Sequence, residues 1–99
     1  MKKLKQEFTG TGEVKGWSFR QIASNGYAFI YEVKQPMVDE SYYEVFPRRV
    51  NGHTNSEEYP SRKAFGLSAY CCIGYDKAKE VYHKLSQRER ERRDAEFKD

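Results

Sequence analysis

Ninety-nine residues with only 37% hydrophobic and 33% charged side chains leave room for one small domain, and no window of the chain approaches the 18 apolar residues of a membrane span. Aromatic residues make up 15% of the chain, so disorder is excluded despite the low mean hydropathy of −0.99. A net charge of +3 and a pI near 8.8 exclude an acidic mimic of nucleic acid and permit an anionic partner without requiring one.

The organisation expected is a single unit: an N-terminal arm over 1–13, a globular core over 14–86 and a charged helical tail over 87–99. The arm holds Phe8, which suits a short edge strand, and Thr9-Gly10-Thr11-Gly12. A dinucleotide fingerprint needs a preceding strand, a third glycine and a following helix, and none is readable here. Val14 to Lys34 reads as a hairpin around Ser24-Asn25-Gly26. A three-residue loop closed by Gly26 in the left-handed region puts Trp17 and Phe19 beside Tyr27, Phe29, Tyr31 and Val33. A two-residue Asn-Gly turn would instead bring Arg20 and Ile22 to that face. The face is either the core of a small sheet or a surface on which something stacks, and the core is the plainer reading.

Gln35 to Glu40 is a connecting loop, because Pro36 cannot donate to a ladder. Tyr42 to Val50 is the third strand, with Pro47 suggesting an edge or a bulge. Asn51 to Ser61 is a polar loop in which only Tyr59 is apolar, expected to be exposed and mobile. Ser61 suits the cap of one helical turn through Ala64, and Phe65 to Ile73 a fourth strand, although Ala64, Leu67, Ser68 and Cys71 also fit a helix. Asp76 suits the N-cap of a helix whose stripe is Ala78, Val81, Tyr82 and Leu85. Beyond Leu85 the stripe stops, and Glu89/Arg93, Arg90/Asp94 and Arg92/Glu96 stand at i, i+4. The fold class expected is therefore α+β, with an antiparallel sheet of three to four strands and one C-terminal helix on a face. This order over roughly residues 17 to 86 resembles, in topology alone, the WGR class of DNA-binding modules. The Trp-Gly-Arg triplet is missing, Gly16-Trp17-Ser18 does not supply it, and no residue role is carried over.

Catalysis finds little support. His53 lies in the polar loop and His83 one residue from the helix stripe, neither with a partner at metal-ligand spacing. Asp39-Glu40 and Glu57-Glu58 are read as solvated loop acids, and adjacent Cys71 and Cys72 as reduced thiols. No catalytic residue, cofactor or metal is expected. With polar residues following Met1-Lys2-Lys3, no signal peptide is expected either, and the compartment expected is cytoplasmic.

Basic residues carry the functional expectation. Residues 1–34 hold six basic and three acidic groups, 35–75 four and five, and 76–99 eight and seven. Arg48-Arg49 ends the third strand, Arg62-Lys63 follows the polar loop, and neither pair has an acidic neighbour beside it in sequence. On the tail, Arg88 and Arg92 share one helix face and Arg90 and Arg93 the next. Arginine offers planar, bidentate donors suited to phosphate. Arg48, Arg49, Arg62, Lys63, Arg88 and Arg92 are thus the candidate contacts, with Tyr42 and Tyr70, on the sheet's second face, as stacking or packing groups. The leading expectation is a small non-enzymatic protein that binds nucleic acid or a nucleoprotein complex. The alternative is a protein–protein adaptor or inhibitor of a larger complex. A homodimer through an open edge of the first or fourth strand is a further possibility.

Overall fold

The chain folds around β3, which like β4 beside it is buried on both faces and whose run Ala28-Phe29-Ile30-Tyr31-Glu32-Val33 is apolar at nearly every step. The computed structural model describes residues 1–96, residues 72 and 73 in backbone alone. In chain order the elements are β1 (Glu7–Thr9), β2 (Ser18–Ser24), β3 (Ala28–Lys34), β4 (Tyr42–Pro47), β5 (Val50–Asn51), β6 (Ser56–Glu57), β7 (Tyr70–Ile73) and α1 (Tyr75–Glu96). Five strands form one antiparallel sheet in the order β1-β2-β3-β4-β7, and β5 and β6 form a separate two-stranded ribbon. The α+β class is as expected. The main sheet has five strands because the segment around Phe8 pairs fully with β2, Phe8 stacking on Phe19 at 4.7 Å. β1 stops just before Gly10, where an added Cβ would run into the Val14 carbonyl oxygen.

Alternation along β3 builds two cores. Phe29, Tyr31 and Val33 join Phe19, Phe46 and Ala69 on one face, while Ala28 and Ile30 join Val45 on the other. The helix stripe Ala78, Val81 and Leu85 docks on this second, aliphatic face, with Tyr82 packed beside it. The aromatic face is therefore a core, but loops and the arm cover it instead of the helix. Leu4, Phe8, Val14, Trp17, Tyr59, Ala64 and Phe65 close it. Small Ala28 and Ala78 let a helix approach closely, whereas the large rings opposite leave deep gaps that irregular segments fill. The segment expected to be a mobile loop is accordingly structured. It forms the β5–β6 ribbon and then lays Tyr59 edge-on against Phe19, Tyr31 and Phe46.

Local differences from the expected elements have plain causes. Three residues, 25–27, separate β2 from β3, one position later than expected: Ser24 pairs with Phe29, and the Asn25 Oδ1 accepts from the N–H groups of Tyr27 and Ala28. Gly26 takes the left-handed conformation at φ 84°. A register shift between Gln21 and Ala23 keeps Phe19 on the aromatic face while Ile22 and Ala23 pack into the helix-side core. Tyr27 leaves the aromatic face and lies under the Arg93 guanidinium, 4.3 Å from the ring centroid. Residues before β7 form a turn, with the Leu67, Ser68 and Ala69 N–H groups all donating to the Ala64 carbonyl. The helix begins two residues early, at Tyr75, so Asp76 lies in its first turn and pairs with Lys79 at 3.8 Å instead of capping. Ser61 precedes a single 3₁₀ turn, Arg62–Ala64, but makes no side-chain cap bond.

One consequence of this packing is measurable. Burial of Tyr59, and then the Glu44 carboxylate to which its hydroxyl donates at 2.6 Å, push the phenol far above its ordinary value near 10. A raised folded-state pKa contributes stability that is complete below the unfolded value and lost as pH rises past it. The urea midpoint is expected to hold from pH 8 to about 10 and then fall. Tyr59→Phe is expected to start lower but fall less steeply above pH 10; an unchanged slope would place the alkaline sensitivity elsewhere.

Candidate nucleic-acid interface

The fold supplies acidic partners that sequence neighbours lack. Arg48 Nε donates to Glu57 Oε2 at 2.6 Å. Burial of Glu57 opposes its ionisation, but the Leu4 N–H, Arg48 and Lys3 outweigh it and hold the carboxyl below its ordinary value. Arg62 turns inward, both terminal nitrogens donating to the fully buried Glu44 at 2.8 and 2.9 Å. Its guanidinium also lies over Phe65 at 4.2 Å and Trp17 at 5.8 Å. Arg62 thus ties the loop to the sheet, while neighbouring Lys63 is exposed. Tyr42 is half-buried against the aromatic core and accepts from Gln35 Nε2 at 3.3 Å, whereas Tyr70 is exposed.

Arg49 and the tail arginines do come together. After Pro47 the strand ends, and Arg49 Nη2 reaches across to Glu89 Oε1 at 3.0 Å. Two anchors hold α1 over the β2–β3 turn. Asn25 Nδ2 donates to Ser86 Oγ at 2.8 Å, and Arg93 Nη2 donates to the Gly26 carbonyl at 2.8 Å while stacking on Tyr27. The expected i, i+4 pair of Glu89 and Arg93 is not made, because each turns to the sheet end. Arg92 lies 3.8 Å from Glu89 and 3.9 Å from Glu96. Arg49, Arg92 and Arg93 thereby line one shallow cleft of about 150 Å³ with Glu89 and Glu96. Three guanidiniums face two carboxylates. Glu89, only 11% exposed, holds Arg49 and Arg92 in place from beneath, while Arg92 keeps 61% of its side chain in water. Arg88 is exposed one turn back along α1.

Sequence reading missed Glu89, Arg93, Tyr27 and Asn25 as the parts that assemble this cleft. The available signal was Asn25-Gly26, a turn whose open carbonyl invites a donor. A larger groove of about 480 Å³ lies over the part of the sheet that α1 leaves uncovered, lined by Glu7, Thr9, Ser18, Arg20, Glu32 and Lys34 among others. Its charges pair across the strands, Arg20 with Glu32 at 2.9 Å, and Tyr43 donates its hydroxyl to the same Glu32. That surface is close to neutral and offers no concentrated charge. His53 is exposed in the β5–β6 turn and His83 on α1. Among the described residues no three His, Cys, Asp or Glu side chains gather as a metal site, and no helix is long and apolar enough to cross a membrane.

No protein-family profile, curated protein or solved structure matches the chain. The fold defines a small α+β domain whose described surface collects arginine at one end.

Proposed function

We propose that the chain is a small non-enzymatic binding protein that engages nucleic acid or a nucleoprotein complex through Arg49, Arg92 and Arg93, with Arg48 and Arg88 beside them. One observation carries the reading: Arg49 and Arg92, more than forty positions apart, converge on a single cleft and are held there by a mostly buried carboxylate, with Arg93 beside them. Guanidiniums fixed in this way lose less freedom on meeting a phosphate; Arg49 and Arg92 have donors beyond those their acidic partners take, and Arg93 has donors beyond the one given to the Gly26 carbonyl. Both faces of β3 are filled, so base stacking on the sheet adds little and the contact is chiefly with the phosphate backbone. The adaptor reading draws on a different surface, the exposed Leu67 and Tyr70 near β7.

The test is a titration of labelled single- and double-stranded DNA and RNA at rising salt. Three phosphate contacts predict affinity falling roughly 40-fold between about 50 and 200 mM salt. No binding at low salt, or binding indifferent to salt, would defeat the proposal.

A further inference from the structure

We infer that the open edge of β7 is a self-association surface, pairing antiparallel with the β7 edge of a second copy and joining two five-stranded sheets into one. The strand order leaves β1 and β7 as the two edges. Open edges present unpaired backbone donors and acceptors, and proteins that remain alone guard them with charge, proline or a cover. The β1 edge is guarded: it is three residues long, follows Lys5, carries exposed Glu7 and stops at Gly10. The β7 edge is not. From Ala64 to Tyr75 the sequence contains no charged residue and no proline, in a chain that is 33% charged.

The same stretch holds apolar side chains out in water. Leu67 is 83% exposed, Tyr75 45% and Tyr70 40%. Leu67 is fixed there by a well-bonded turn: Gly66 is left-handed at φ 91°, its N–H donates to the Ala69 carbonyl, and the Leu67 N–H donates to Ala64. Tyr75 has one side against Tyr43 at 5.4 Å and Lys79 Nζ at 4.9 Å, leaving much of the ring open. Leucine and tyrosine displayed beside an unguarded edge are the ingredients of an interface.

Charge decides the occupant. A nucleic acid or a charged peptide would bring charges that this strip cannot pair, and burying them would be costly. A second β7 brings none, so neutral strip meets neutral strip. Antiparallel pairing about a two-fold axis also closes on itself, each edge using the same residues. Pairing β7 with β1 would instead leave one β7 and one β1 edge open on every pair of copies and would set the apolar strip against Glu7. The arginine cleft plays no part, so this inference stands apart from the nucleic-acid proposal.

The test is sedimentation equilibrium of the full chain without nucleic acid, from low to high micromolar concentration. The expected result is a species of twice the 11.7 kDa monomer mass. Leu67→Lys and Tyr70→Lys are each expected to raise the dimer dissociation constant by about 100-fold or more, because the two-fold axis brings each new charge near its own copy. A monomer at every concentration, or a dimer that both substitutions leave intact, overturns the inference. So does a monomer whose edge is filled only by an added uncharged peptide. Should a variant fail to melt cooperatively, hydrogen exchange of the wild-type amides over 70–73 decides. Protection that grows with concentration supports the pairing, and protection independent of concentration rejects it.

Discussion

Glu44→Ala is expected to cost about 3 kcal/mol or more of folding stability, the lower part of the range for breaking a buried ion pair, since Arg62 keeps 30% of its side chain in water. Glu44 is fully buried on β4, and its two oxygens accept from Arg62 at 2.8 and 2.9 Å and from Tyr59 at 2.6 Å. Alanine would leave a guanidinium without its anion against Trp17 and Phe65, and a buried hydroxyl without an acceptor. The network also fastens the segment that closes the aromatic core, so its loss is expected to admit water to Phe19, Tyr31 and Phe46. Against a total of about 5–15 kcal/mol for a domain of this kind, that is a large fraction. Glu44→Gln keeps the volume and an acceptor for Tyr59 but loses the charge, and about 1–3 kcal/mol is expected. Urea denaturation followed by Trp17 fluorescence reads both; a Glu44→Ala midpoint equal to wild type would show that the ion pair does not lock the loop.

That network also marks what sequence reading reaches and what it does not. Alternation settles which residues of one strand share a face, Phe29, Tyr31 and Val33, and Phe19 joins them because the register shift between Gln21 and Ala23 offsets the change in the turn. The spacing of Ala78, Val81 and Leu85 likewise identifies the docking stripe. Neither pattern says which sheet face the stripe meets, since that depends on how deep each face is once its side chains are placed. Nor does local charge counting find Glu44 for Arg62, Glu57 for Arg48 or Glu89 for Arg49, which are 18, 9 and 40 residues apart. Glu44 is particularly opaque, as an acid inside a Tyr- and Val-rich strand reads as outward-facing until its partner arrives from a distant loop. In the candidate site, Arg49 and Arg92 were readable as basic groups. Their meeting was not, because it depends on Asn25 and Gly26 anchoring the far end of a helix. The predicted tail reaches residues 97–99, which lie outside the described residues.

Arg49→Ala and Arg92→Ala are each expected to weaken nucleic-acid binding about eightfold at about 0.1 M salt and to lower the slope of log affinity against log salt by about one. Both side chains are 47% or more exposed, so the melting temperature is expected to move little and the loss can be assigned to the contact. Lys63→Ala is the charge-matched control: it removes one positive charge from a site outside the cleft and is expected to leave the slope unchanged. Glu96→Gln runs the other way. Its carboxylate lines the cleft and is 67% exposed, so neutralising it removes a repulsion on an incoming phosphate and is expected to tighten binding. Opposite signs from residues one helical turn apart would separate a local arginine cleft from a general response to net charge. If Lys63→Ala matched Arg92→Ala in slope, the protein would be acting only as a diffuse cation. If neither arginine variant changed affinity or slope, the cleft would not be the contact surface.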